Sequence, residues 1–92
     1  MYRLEASTQF KKDYKSLSES DKNKVMTALG ILEEMGTLPF DKYLTHKLKG
    51  KYKDNIEVHI RPDLLLIWYE VVETTIKLVR VGSHSDLFGK NR

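Results

Sequence analysis

The sequence predicts an α+β fold: an N-terminal strand, two helices, then a three-stranded antiparallel meander in one sheet, with the helices on one face. Three observations carry this. Between Thr8 and Gly36 the apolar residues recur at helical spacing, and from Asn55 onward they recur at every second residue. The breaks at Pro62-Asp63 and Glu73-Thr74-Thr75 leave room only for tight reversals, so the three strands they separate are antiparallel neighbours. Two helices with one apolar face each need something to cover, and a sheet is the partner available.

Each element has its own signal. "YRLEAS" alternates polar and apolar and reads as a short strand in the same sheet. Ser7 or Thr8 then caps a helix over "QFKKDYKSLS", with Phe10, Tyr14 and Leu17 on one face. A second helix begins near Ser18 or Ser20, where Ser18 and Asp21 form a variant capping box. Its apolar stripe is Val25, Leu29, Leu32 and either Ala28 or Met35; Gly36 ends it and Pro39 prevents its continuation. "NIEVHIR" alternates strictly, with Ile56, Val58 and Ile60 on one face and Glu57, His59 and Arg61 on the other. "LLLIWYEVV" is apolar at both parities, as in a central strand covered on both sides. "IKLVRV" closes the meander, with Ile76, Leu78 and Arg80 on one face. After Gly82, "SHSDLF" has the makings of a single helical turn in which His84 and Phe88 share a face.

At 92 residues the chain, residues 1–92, is expected to be one domain with a small core. There is no cysteine, so neither a disulfide framework nor a thiolate metal site is available. The longest apolar run, "LLLIWY", is too short to span a bilayer, and the first residues lack the apolar stretch of a signal peptide. A cytoplasmic protein with no membrane partner is the expectation. The formal net charge is +3. Lys42, Lys47, Lys49, Lys51 and Lys53 crowd a segment read as a basic loop, where they suit phosphate contact or simply keep the loop solvated.

All three histidines lie in or beside the meander, and none falls in the helices. His46 is in the basic segment, His59 is on the polar face of its strand, and His84 follows the last strand. Asp63 lies across the turn from His59. Singly, each has an ordinary reading as surface or turn decoration. Together they offer groups that exchange protons near neutral pH. RNA cleavage needs a base for the 2′-hydroxyl, an acid for the leaving 5′-oxygen and cations around the transition-state phosphate. Two or more histidines, a carboxylate and nearby arginines and lysines meet that need without a metal. Arg80, Arg61 and the loop lysines are the candidate cations. A three-histidine zinc site is the competing chemistry, although no HxH or HExxH spacing is present.

The stretch "HKLKGKYKDNIEVHIRPDLLLIWYEV", followed by "IKLVRVGSHSDLFG", resembles the YafQ branch of the RelE superfamily of bacterial toxins. The resemblance runs from His46 to Gly89 and lies in H-x-L-x-G, then H-x-x-P-D, then L-x-R-x-G-[ST]-H-x-x-L-F. It implies a type II toxin–antitoxin toxin: a metal-independent endoribonuclease that needs no cofactor and cuts translated mRNA in the ribosomal A site. A cognate antitoxin protein would neutralise it, and operator DNA would be met only through that complex. The matching site positions are His46, His59, Asp63, His84 and Phe88. The resemblance makes His46 and His84 central to proton transfer, with Asp63 and His59 supporting them and Phe88 shaping the site. Arg80, Arg61, Lys47, Lys49, Lys51 and Lys53 are the candidates for RNA and phosphate contact. Lys47 stands where the branch has proline, and Leu64 where it can have tryptophan. Two alternatives share the fold: a ParE-like inhibitor of DNA gyrase, and a catalytically silent relative that only binds its antitoxin.

Overall fold

The computed structural model describes residues 1–39, 42–47 and 55–89. Its elements are β1 (Arg3–Ala6), α1 (Thr8–Lys15), α2 (Glu19–Met35), β2 (Leu44–Lys47), β3 (Ile56–Arg61), β4 (Leu64–Val72), β5 (Thr75–Gly82) and α3 (His84–Phe88). The five strands form one sheet in the order β1-β5-β4-β3-β2. β1 runs parallel to β5, and the other neighbours are antiparallel. The α+β class, the meander and the N-terminal strand's place in the sheet are as the sequence predicts.

Local chemistry sets the helix limits. Ser7 is extended, and its Oγ accepts the Phe10 N–H at 2.9 Å, which starts α1. The same hydroxyl donates to the Val79 carbonyl at 2.8 Å and so pins the start of α1 to β5. α1 stops at Lys15, short of the expected Ser18, because Ser18 is needed in an extended conformation as the N-cap of α2. Its Oγ accepts the Asp21 N–H at 3.1 Å. Gly36 ends α2 at φ 77°, in the left-handed region, and a Cβ there would overlap the ring of Tyr2.

One face of the sheet carries the main core. Phe10 of α1 and Val25, Ala28 and Leu32 of α2 pack on Val58, Leu64, Leu66, Trp68, Ile76, Leu78 and Val81. Of the two candidates for the α2 stripe, Ala28 is buried and Met35 is 60% exposed. β4 is covered on its other side too: Leu65 and Ile67 are fully buried beneath Leu87, Val79 and Phe88. The run "LLLIW" is apolar at both parities for this reason.

Two expectations need correction. The segment read as a basic loop contains β2, an edge strand paired with β3 from Leu44↔His59 to Lys47↔Ile56. Four residues of mixed polarity on a sheet edge carry no alternation to read. The alternation at two strand ends also breaks. A register shift between His59 and Arg61 turns Arg61 to the helix face, where it pairs with Asp21 of α2. A second shift, between Ile67 and Trp68 opposite Val79, moves Arg80 to the face opposite Ile76 and Leu78.

Candidate active site

The site lies on the sheet face that α1 and α2 leave uncovered. Strand register builds two rows across it. One row is Leu44, His59, Leu65 and Gly82; the other is position 46, Glu57, Ile67 and Arg80. Directly opposed residues of neighbouring strands lie ~4.8 Å apart, so the described side chains of each row are neighbours on one side of the sheet. Leu65 and Ile67 form an apolar floor between the polar members.

α3 closes one end of this floor. Ser83 caps it, its Oγ accepting the Asp86 N–H at 3.1 Å, and Gly89 stops it at φ 81°. Leu87 anchors the helix and is 6% exposed. The predicted i, i+4 pair forms: the rings of His84 and Phe88 have centroids 5.6 Å apart. The His84 ring also stands 6.1 Å from that of His59, centroid to centroid. Asp63, in the β3–β4 turn, accepts the His84 backbone N–H on Oδ1 at 3.1 Å. Its Oδ1 is 3.9 Å from His84 Nδ1, so its direct hold is on the backbone at the start of α3.

The two histidines differ in exposure. The His84 side chain is 58% exposed, whereas that of His59 is 19% exposed and has Nε2 at 3.4 Å from Glu57 Oε1. Glu57 is the buried charged side chain among the described residues. In the sequence Glu57 shares a strand face with His59 but belongs to no motif. Their i, i+2 spacing was the available signal, but α3's coverage of that end of the sheet was not visible in it.

The structure thus brings together His59, Asp63, His84 and Phe88. His46 enters through its backbone register opposite Glu57. Lys47 lies in β2, while Lys49, Lys51 and Lys53 fall outside the described residues. Arg61 is not brought in: its Nε and Nη2 each donate to Asp21 at 2.9 Å. Those hydrogen bonds hold the Asp21 carboxyl below its ordinary value and raise Arg61 above its own. Arg80 is on the site face, with its guanidinium bound to Asp13 of α1 at 2.7 and 3.1 Å. Burial pushes the Asp13 carboxyl up, but hydrogen bonds from Arg80, Gln9 and the Val81 N–H, with the Arg80 charge, outweigh it and leave a net lowering. Leu64, at the position where tryptophan can stand, is buried on the helix face. No group of three or more His, Asp or Glu arranged for a metal occurs among the described residues.

The chain as a whole resembles known proteins. The profile of the family described as "Bacterial toxin of type II toxin-antitoxin system, YafQ" matches residues 2–89. The mRNA interferase toxin YafQ of Escherichia coli K12 is 34% identical over 89 residues, which is 94% of this chain and 95% of that protein. Among solved structures, a metal-bound toxin from Helicobacter pylori is 42% identical and superposes with a TM-score of 0.80, covering 96% of this chain and all of that one (100%). The E. coli DinJ–YafQ toxin–antitoxin complex contains a chain 31% identical, with a TM-score of 0.77 over 96% of this chain and 98% of that one.

Proposed function

Because the chain belongs to the YafQ family of bacterial type II toxin–antitoxin toxins, we propose that it is an mRNA interferase, a metal-independent endoribonuclease that cuts translated mRNA on the ribosome. One observation carries the reading. His59, Asp63, His84 and Phe88, from a strand, a turn and a terminal helix, converge at one end of an apolar floor. The E. coli relative bears the name of an mRNA interferase.

In this reading His84 exchanges one of the two protons, because its imidazole is the more open to substrate. His46 exchanges the other from its strand position opposite Glu57. One of them takes the proton of the 2′-hydroxyl, whose oxygen attacks the adjacent phosphorus. The other protonates the departing 5′-oxygen as the P–O bond breaks, which leaves a 2′,3′-cyclic phosphate. His59, backed by the buried Glu57, supports this network. Asp63 fixes the backbone that carries His84. Phe88 offers a ring on which a base stacks, an interaction of about 1–3 kcal/mol per base. Arg80 stabilises the charge that develops on the phosphate. A groove lined by Lys42, Leu44, His59, Ile60, Arg61 and Pro62 gives the strand a path along the β2–β3 edge, with the Arg61 guanidinium held at its rim by Asp21.

The E. coli relative is seen in complex with the antitoxin DinJ, and a cognate antitoxin is proposed to neutralise this chain likewise. A purified translation system tests the activity. Cleavage of ribosome-bound mRNA, unaffected by a zinc-selective chelator that leaves Mg2+ in place and with a bell-shaped pH profile, is expected. Cleavage abolished by that chelator and restored by zinc would contradict the metal-free mechanism, and intact mRNA with inhibited gyrase would replace the reading altogether.

A further inference from the structure

Asp13 is absent from every motif that marks the site, and it comes from α1, on the other side of the sheet. Yet its carboxylate is the most heavily bonded on the chain's described surface. Oδ2 accepts from Arg80 Nε at 2.7 Å and from the Val81 N–H at 3.1 Å; Oδ1 accepts from Arg80 Nη2 and Gln9 Nε2, each at 3.1 Å. The location explains why such a group is needed. β1 pairs with β5 only as far as Leu78. Beyond that, β5 runs on to Gly82 with no strand on that edge among the described residues, and α1 lies alongside instead. The carboxylate takes the Val81 N–H that a longer β1 would have taken.

Two functional positions depend on this stretch. Arg80 is on the site face in the row of Glu57, and its orientation is set by a two-pronged carboxylate contact. His84 follows Val81 by three residues, so what holds the end of β5 also sets where α3 begins. A cleft lined by Asp13, Arg80, Gly82 and Asp86 joins α1 to the first turn of α3.

We propose that Asp13 is a positioning residue for RNA cleavage, acting through Arg80 and the end of β5 to fix the guanidinium and the His84 helix relative to the scissile phosphate. This rests on the ribonuclease reading for its catalytic part and on geometry alone for its structural part. It makes α1 a component of the active site.

A double-mutant cycle tests it, with turnover and KM measured on ribosome-bound mRNA. Asp13→Asn should lower kcat roughly ten- to a hundredfold with little change in KM, the scale expected when reacting groups are displaced. In an Arg80→Ala background the same change should cost much less. Wild-type turnover in Asp13→Asn, or an equal loss in both backgrounds, would overturn the proposal. If Asp13→Asn does not fold, Arg80→Lys keeps the cation without the two-pronged contact. Slowed turnover at unchanged KM is then expected, and full turnover contradicts. Amide hydrogen exchange provides a readout free of catalysis. Faster exchange confined to Val81–Phe88 in Asp13→Ala, which removes the acceptor altogether, supports the positioning role, and unchanged exchange there rejects it. A wild-type protein that leaves mRNA intact sinks the ribonuclease reading, while the exchange result still decides whether Asp13 holds the His84 helix.

Discussion

His84 depends on Asp63 through its backbone. The carboxylate accepts the N–H at the start of α3 at 3.1 Å, while the imidazole nitrogen stays 3.9 Å away. Asp63→Asn keeps an acceptor oxygen and so should keep most of the hold on α3. Asp63→Ala removes it, and a cap-type loss of about 1 kcal/mol is expected. Cleavage should therefore fall more in Asp63→Ala than in Asp63→Asn. Equal losses in the two variants would mean that the charge of Asp63, rather than its hydrogen bond, matters to the reaction. The resemblance marks His46, His59, Asp63, His84 and Phe88 in the sequence, and the structure places the last four side chains around one end of the sheet. Glu57 and Asp13 were not legible in the sequence, since their importance comes from burial and from contacts between elements distant in the chain.

At the scale of elements, short-range chemistry was the readable part. Ser7, Ser18 and Gly36 mark the ends of α1 and α2, and the His84–Phe88 spacing marks α3. Strand register was the unreadable part. One shift removes Arg61 from the site face and another puts Arg80 onto it, so strict alternation misplaces both arginines. The Gly36 end of α2 gives an element-scale prediction. Gly36→Ala combines a left-handed backbone with overlap on the Tyr2 ring. It should cost about 1–3 kcal/mol, measured by urea unfolding, and should leave the kcat of the folded protein unchanged. A stability equal to wild type would show that the β1–α2 junction is looser than its geometry implies.

At the scale of the molecule, the sheet separates stability from chemistry. Its helix-covered face holds the main core, and its other face holds the site over the smaller cluster of Leu65, Ile67 and Leu87. Leu66→Ala on the first face should cost about 2–5 kcal/mol by creating a cavity, with kcat of the folded protein retained. The ion pairs that join helices to sheet give stability an acid limb. Asp13 and Asp21 both have folded-state values below the ordinary 3.8. Their contribution is therefore fully present above that value and is lost as pH falls through the depressed folded values. Asp13 accepts from Arg80, Gln9 and the Val81 N–H, whereas Asp21 accepts from Arg61, so Asp13 should dominate. Thermal unfolding from neutral pH down to pH ~2 should show a shallower acid decline in Asp13→Asn than in the wild type. Parallel declines would mean that other carboxylates govern acid unfolding.

No helix among the described residues is long and apolar enough to cross a membrane. The chain's relatives match it nearly end to end, through the α1 and α2 layer as well as the histidine-bearing half. The most direct measurement is to map mRNA 5′ ends across the transcriptome after inducing the wild-type chain and His84→Ala in parallel. New 5′ ends inside translated reading frames, present with the wild type and reduced roughly a hundredfold or more with His84→Ala, are the predicted result. Growth arrest with no new ends in coding sequence, or the same ends from both proteins, would contradict the assignment of RNA cleavage to this site.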